Sequence, residues 1–210
     1  MVGRTITEVS DDDVAAIRDG RPLLVDVGTG DGKHVLHEAR RRPDWLVVGL
    51  DAAPAQAQRA SASAARKPEK GGLANVLFAQ ASAEALPAVL TPTQELHVLM
   101  PWGSLLRGCL ALDAVLPSLR SIAAADATLL VTLNLHAWRP PVADVGEHPE
   151  PTPDSALATL APIYAEAGWH IDGSRYLDDD GIAKLATSWG RRLHSSRDEF
   201  DVLVIEASAR

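Results

Sequence analysis

Short apolar runs alternate along the whole chain with stretches of helical spacing, the pattern of a mostly parallel sheet covered on both faces. Runs at 23–27, 46–50, 75–80, 95–100, 128–135, 169–176 and 200–206 predict seven strands. Helices are predicted over 32–41, from Pro54 to about 65, over 110–124 with a restart near Pro117, over 154–167 and over 179–186. The first of these stops before Pro43, and Pro54 suits the opening turn of the next. Ser10 and Asp13 form a capping box in which Asp replaces the usual Glu or Gln, and they start a short helix to about 19. Residues 4–10 alternate side-chain types and predict a small extra strand. Pro and paired Gly mark 66–74 as a loop, and a Pro-rich stretch over 138–153 forms a longer one. No repeat, low-complexity tract or linker interrupts the pattern. The chain reads as one domain, 1–210, with an N-terminal extension over 1–20.

The ends of the first two strands narrow the picture. The first runs into Asp26-Val27-Gly28-Thr29-Gly30-Asp31-Gly32, an acid followed by three glycines in five residues. The second ends in another acid, Asp51. Two strands that end in carboxylates, with a glycine turn after the first, are how an open α/β sheet holds an adenosine-containing cofactor. Gly28 and Gly30 can take positive φ and let the backbone approach a ligand closely. Asp51 would accept hydrogen bonds from ribose hydroxyls, and Asp26 would meet a cationic or amino group. The spacing is G-x-G-x-G, which matches neither the dinucleotide fingerprint nor a phosphate loop. Asp31 would repel a pyrophosphate at the helix N-terminus, so a cofactor without phosphates is favoured, and S-adenosylmethionine fits. An ordinary strand–turn–helix corner remains the alternative at this point.

Composition adds limits. At 210 residues with 46% hydrophobic content, the chain can bury a sizeable core. No apolar run approaches the roughly 18 residues of a membrane span, and residues 1–5 lack an apolar signal core. Cys109 is alone, so no internal disulfide can form, and a cytoplasmic location is expected. The net charge of −8 argues against a nucleic-acid binder when taken whole. Its distribution tempers that. Acids gather at 11–13, 144–154 and 178–180, while bases gather at Arg66, Lys67 and Lys70 and at Arg191, Arg192 and Arg197. A local basic face and plain solvated surface charge both remain open.

Three of the five tryptophans fall in predicted loops: Trp102 after the fourth strand, Trp138 after the fifth and Trp189 before the last. Trp45 and Trp169 read as core. Many nucleic-acid amino-methyltransferases grip an amino nitrogen with a proline-and-aromatic motif after the fourth strand, and Pro101-Trp102 is a looser version. A flat aromatic there could stack on a flipped base, and Trp189 could close the other face, beside its following arginines. Such stacking is worth roughly 1–3 kcal/mol per base. The seven histidines show no metal-ligand spacing; His34 and His37 are three apart on a helix that packing already explains. No nucleophile elbow and no obvious general base are present. N1 of neutral adenine has a free lone pair, so it needs orientation and desolvation more than a base.

At these residues the chain resembles the aminoglycoside-resistance 16S rRNA methyltransferases that act on N1 of adenine-1408, and within them the kanamycin–apramycin resistance group of actinomycetes. The likeness is carried by the glycine turn through Lys33-His34, by Lys67-Pro68 and 70–73, and by 96–107 and 133–140. It continues through 145–155, Thr187-Ser188-Trp189 and 191–198. It implies a class I S-adenosylmethionine-dependent methyltransferase fold, Rossmann-like, α/β, with a seven-stranded sheet. It also implies roles. Asp26, Gly28, Gly30, Asp51, Ala52, Ala83, Glu84, Met100, Trp102 and Ser104 would hold the cofactor. Trp102 and Trp189 would sandwich the adenine, with Pro101 and Thr187 positioning it. Arg66, Lys67, Lys70, Arg139, Arg191, Arg192 and Arg197 would dock the RNA through loops at 66–74, 136–153 and 187–198. Glu199 departs from the pattern, standing where relatives can carry a basic residue. The implied partner is the assembled 30S subunit at the helix 44 decoding region, met by a monomer, read by shape more than sequence. A small-molecule methyltransferase, or a non-catalytic ribosome-binding protein of the same fold, are the competing readings.

Overall fold

The computed structural model describes residues 8, 10–111, 113–139, 145, 148–188 and 201–210. In chain order the strands are β1 (Leu23–Val27), β2 (Leu46–Asp51), β3 (Val76–Gln80), β4 (Thr93–Leu99), β5 (Ala123–Asn134), β6 (Trp169–Tyr176) and β7 (Val202–Ala209). The helices are α1 (Asp11–Arg18), α2 (Lys33–Arg41), α3 (Gln58–Ala64), α4 (Gly103–Leu110), α5 (Val115–Ile122), α6 (Pro153–Glu166) and α7 (Asp179–Lys184). The strands form one sheet in the order β3-β2-β1-β4-β5-β7-β6. The first five are parallel, and β7 runs antiparallel to both β5 and β6. Chain direction across the sheet reverses between β1 and β4, the switch point where open α/β sheets bind ligands.

The central strands β1 and β2 are apolar on both sides because both of their faces are covered. All five residues of β1 are buried. Leu23, Val25 and Val27 pack with α4, α5 and α6, while Leu24 faces α2 and α3. A third cluster joins Leu99 and Met100 to Ile182 of α7 and to Val202 and Val204 of β7. Each fully buried Leu, Val or Ile contributes about 1.5–3 kcal/mol relative to exposure. The two largest internal aromatics are satisfied as well as packed. Trp169 Nε1 donates to the Leu116 carbonyl at 3.2 Å, and the Tyr164 hydroxyl donates to that of Cys109 at 3.1 Å. Cys109 is itself buried, which pushes its thiol up to about 12.

Several expected elements stand as read. Ser10 and Asp13 form the reciprocal capping box at the start of α1. Others are corrected. The helix expected over 110–124 with a restart near Pro117 is α5 over Val115–Ile122, with Pro117 in its first turn, where proline is tolerated, and α4 before it ends at Leu110. Ala123 and Ala124, expected at the helix end, already belong to β5, which starts five residues earlier than expected. The stretch after Pro54 starts as a 3-10 turn, Pro54–Ala57, before α3. The 66–74 loop contains a 3-10 turn, Pro68–Lys70. β7 begins two residues later than expected and runs to Ala209. The extra strand expected over 4–10 falls almost entirely outside the described residues.

Candidate active site

The glycine turn is sewn to the end of β2. The Gly28 and Thr29 amides donate to the Leu50 carbonyl at 2.8 and 2.9 Å. The Gly30 amide donates to one Asp51 oxygen at 2.9 Å, and the Ala53 amide to the other at 2.8 Å. Gly28 and Gly30 take φ of +76° and +54°, as the turn requires. A Cβ on Gly28 would lie 2.5 Å from Leu105 Cδ2, a movable side-chain end, so it is the φ of +76° more than the space that favours glycine here.

The second wall comes from the β4–α4 turn. Met100 holds a left-handed φ of +51°, and its amide donates to the Thr132 carbonyl at 2.9 Å and hydroxyl at 3.1 Å. Such strain persists where surroundings over-determine it, and it clusters at functional sites. Trp102 follows as the N-cap residue of α4, half-buried against the main core.

Between these turns lies a cleft of about 620 Å³. Asp26, Gly28, Gly30, Asp51 and Ala52 line its β1–β2 side, Ala83 and Glu84 its β3 side. Met100, Pro101, Trp102, Ser104 and Thr187 line the remainder. Every residue expected to hold the cofactor is thus brought to one cavity, along with three of the four expected to handle the base. Trp189, the fourth, lies outside the described residues, as do Arg191, Arg192, Arg197 and Glu199. Arg66, Lys67 and Lys70 do not line the cleft. They sit in the turn between α3 and β3, where the Leu73 amide returns to the Ala64 carbonyl at 2.9 Å. Arg139 is engaged: its guanidinium makes a two-pronged pair with Glu150, at 2.7 and 3.1 Å, and reaches buried Asp201 at 3.3 Å. Trp138 is likewise tied down, donating Nε1 to the His148 carbonyl at 3.0 Å. Trp169 is fully buried, whereas Trp45 carries the Arg42 guanidinium 4.9 Å over its ring.

Sequence reasoning missed some of the lining. Thr29, His34, Gln56, Leu105 and Ser188 also face the cleft. Leu105 was hidden because no helix was expected over 103–110. His34 was dismissed as a helix-packing residue, yet its Nε2 lies 2.8 Å from His97 Nδ1 and its Nδ1 donates to the Leu185 carbonyl at 2.7 Å. Asp31, read only as a phosphate repellent, accepts from the Lys33 ammonium and from the Ser188 hydroxyl.

The electrostatics fit a cationic ligand. Burial pushes the Asp26 carboxyl up from its ordinary value, with His34 opposing that effect. Burial also acts to raise Asp31, but hydrogen bonds from Lys33 and Ser188 outweigh it and hold the carboxyl below the usual range. Burial, with His34 and Arg42 near, keeps His97 far below the usual histidine value and hence neutral. Among the described residues, no group of three or more His, Cys, Asp or Glu is placed to hold a metal ion. No described helix is long and apolar enough to cross a membrane.

These features fit S-adenosylmethionine by shape and charge. Gly30, where nothing lies within 4 Å of a would-be Cβ, admits close approach, Asp26 is a buried carboxylate suited to a cationic partner, and Asp51 keeps lone pairs free beyond its two amides. The cleft volume lies within the range of cofactor sites, about 300–1,000 Å³. Sheet order, glycine turn and cleft together define an S-adenosylmethionine-dependent methyltransferase. Comparison with known proteins specifies which kind. Residues 1–208 match the family model described as NpmA: 16S rRNA (adenine(1408)-N(1))-methyltransferase, and the chain belongs to that family. It is 54% identical over 207 residues to the 16S rRNA (adenine(1408)-N(1))-methyltransferase of Streptoalloteichus tenebrarius, covering 98% of this chain and 96% of that one. The crystal structure of the 16S rRNA methyltransferase KamB superposes with a TM-score of 0.93 at 53% identity, covering 99% of this chain and 97% of the other. A tryptophan-to-alanine mutant of the enzyme from Catenulisporales acidiphilia, crystallised with cosubstrate SAM, superposes at 0.88 with 35% identity, covering 100% and 95%.

Proposed function

We propose that this protein methylates N1 of adenine-1408 in 16S rRNA within the assembled 30S subunit, at the helix 44 decoding region, and so confers resistance to kanamycin and apramycin. The observation that carries this reading is the junction at Met100–Trp102. There the turn that walls the cofactor cleft also carries Trp102 on the cleft lining, where it would meet an incoming base.

S-adenosylmethionine, when bound, supplies an electrophilic methyl group on sulfonium sulfur. Asp26 would pair with the cofactor's amino group, and Asp51 would accept from its ribose hydroxyls. Ala52, Ala83 and Glu84 would flank the adenine moiety, with Met100 and Ser104 completing the wall. On the substrate side, Trp102 and Trp189 would stack on the two faces of a flipped adenine, while Pro101 and Thr187 fix its edge. No residue need remove a proton, because N1 attacks through its own lone pair. The chain's task is therefore to align and desolvate.

Docking belongs to the basic residues outside the cleft. Arg66, Lys67 and Lys70 would supply one contact zone, Arg191, Arg192 and Arg197 another, and Arg139 a third. The protein acts as a monomer in the cytoplasm, as a single domain spanning 1–210. Methylation would add positive charge and remove an acceptor at the point where a cationic drug contacts the decoding site.

Two outcomes test this. Expression in a sensitive bacterium is expected to give high kanamycin and apramycin resistance, with a primer-extension stop at nucleotide 1408, since an N1-methyl group obstructs base pairing. Intact protein with neither effect, or methyl transfer to a small metabolite but not to 30S subunits, would overturn the assignment. The Arg139 pairing gives a second expectation. Glu150→Gln, by releasing a bidentate partner, should tighten 30S binding about 2- to 5-fold and steepen its salt dependence by roughly one unit. Affinity measured across a salt series checks this, and an unchanged slope would remove Arg139 from the docking surface.

A further inference from the structure

The first turn of α2 and the glycine turn before it reach across the molecule to one short segment. Asp31, Lys33 and His34 all contact residues 185–188, more than 150 positions away in sequence. Ser188 closes a triangle: its hydroxyl donates to the Asp31 carboxylate and accepts from the Lys33 ammonium, which also pairs with Asp31. A serine hydroxyl has one proton and two lone pairs, so both contacts can hold at once. Three residues earlier a second hook closes, where His34 Nδ1 donates to the Leu185 carbonyl at 2.7 Å. That carbonyl can only accept, so Nδ1 carries the proton and His34 Nε2 is left facing His97 Nδ1. This inner hook is buried, His34 being 5% and Leu185 8% exposed.

Between the hooks the chain does something unusual. Ala186 takes a left-handed φ of +53°, which an alanine rarely adopts unless its neighbours hold it there. Leu185 also packs in the cluster containing Leu99 and Met100, so the same four residues touch both walls of the cleft. One peptide bond beyond Ser188 comes Trp189.

We infer that Asp31, Lys33 and His34 are positioning residues whose clasp on Leu185–Ser188 fixes the cleft-lining Thr187 and Ser188, the last described residues before Trp189 in sequence, and so sets the alignment of the adenine with the methyl donor. This rests on the proposed function. It also accounts for an acid in the glycine turn in a way that needs no phosphate. An isolated Lys–Asp pair this exposed does little for stability. Shared with a loop serine, it fixes a register.

The test compares wild type with Asp31→Asn, Ser188→Ala, their double variant and Ser188→Thr. Kinetics use 30S subunits and labelled S-adenosylmethionine, calorimetry gives cofactor affinity, and hydrogen exchange is followed over 182–188 in the free protein. Each single loss is expected to lower kcat about 10-fold, misalignment being capable of about 100-fold, with KM for 30S and cofactor affinity within roughly 3-fold. The double variant should be no worse than the poorer single one, because the contacts act as a unit. Ser188→Thr, which keeps the hydroxyl, should restore wild-type kcat. Exchange over 182–188 should rise at least about 10-fold in both single variants. Multiplicative losses, a loss traced to cofactor affinity, or unchanged exchange would each overturn the clasp. If wild type binds cofactor but leaves 30S unmethylated, the proposed function falls instead, and the exchange measurement still decides whether the clasp exists.

Discussion

Trp102→Ala is expected to lower methyl transfer to 30S subunits by about 100-fold or more and to abolish resistance, while cofactor affinity stays within roughly 3-fold. Stacking on a base is worth roughly 1–3 kcal/mol, and a misplaced acceptor loses about another 100-fold in rate. The structure separates the two effects. Trp102 sits at the mouth of the turn, while Met100 behind it is pinned to Thr132 by two hydrogen bonds, so the cofactor wall survives truncation of the indole. Single-turnover methylation with calorimetry of the free protein checks this. A variant that loses cofactor affinity to the same degree would show that the tryptophan supports the pocket rather than the base. Trp102→Phe, which keeps a flat ring, should recover a large part of the rate.

The second large effect is at Asp26. Asp26→Asn is expected to weaken cofactor binding by roughly 30-fold or more, since removing one member of a buried charged pair costs about 2–5 kcal/mol. The same variant should make the cofactor-free protein more stable above the pH at which Asp26 ionises, by roughly 2–5 °C in Tm. The sign follows from the direction of the shift. Burial raises the Asp26 carboxyl in the folded protein. A carboxyl whose folded value lies above its unfolded value contributes stability in full below the unfolded value, and loses it as pH rises through the folded one. Above the raised value the wild type therefore carries the strain of a buried charge, which asparagine removes. As pH falls through the raised value, wild-type Asp26 protonates and the two melting temperatures should converge. Scanning calorimetry across a pH series checks it. A variant less stable than wild type across the whole series would mean that the carboxylate is held by partners rather than strained. A cationic ligand offsets the same charge, so cofactor affinity in the wild type should rise with pH over the same interval.

The sequence displayed the half of the site that is local. β1 is found over the residues its apolar pattern predicted, because a strand buried on both faces leaves a continuous apolar run, whereas the edge strand β6, also found where it was expected, buries only Trp169 and Ile171 of its eight residues. The carboxylates Asp26 and Asp51 and the glycines Gly28 and Gly30 are equally local, and all four line the cleft. The failures are of two physical kinds. α4 was missed because Gly103–Leu110 contains two glycines and opens on Trp102, which offers no side-chain cap. The start of β5 was misread because Ala123 and Ala124 have small side chains of good helical propensity, and Ala123 is drawn into the strand by pairing with Thr93 of β4, before a register shift that resumes pairing at Thr128. The Asp31–Ser188 contact spans 157 positions, and no periodicity can signal such a meeting. The loop cations were visible as charges, but whether they are spent internally, as Arg139 is on Glu150 and Asp201, is decided only by the fold.

The place of β7 has a consequence for biosynthesis. It is the last strand in sequence, yet it lies inside the sheet, between β5 and β6. During N-to-C synthesis β6 must therefore emerge before the strand that joins it to the sheet, and the long edge of β5 stays open meanwhile. The cofactor half, built on β1, β2 and β4, can assemble early. On the proposed clasp, Leu185–Ser188 emerge after the cofactor half and before β7, so the alignment of the acceptor would be set late in folding, after the methyl-donor cleft has formed.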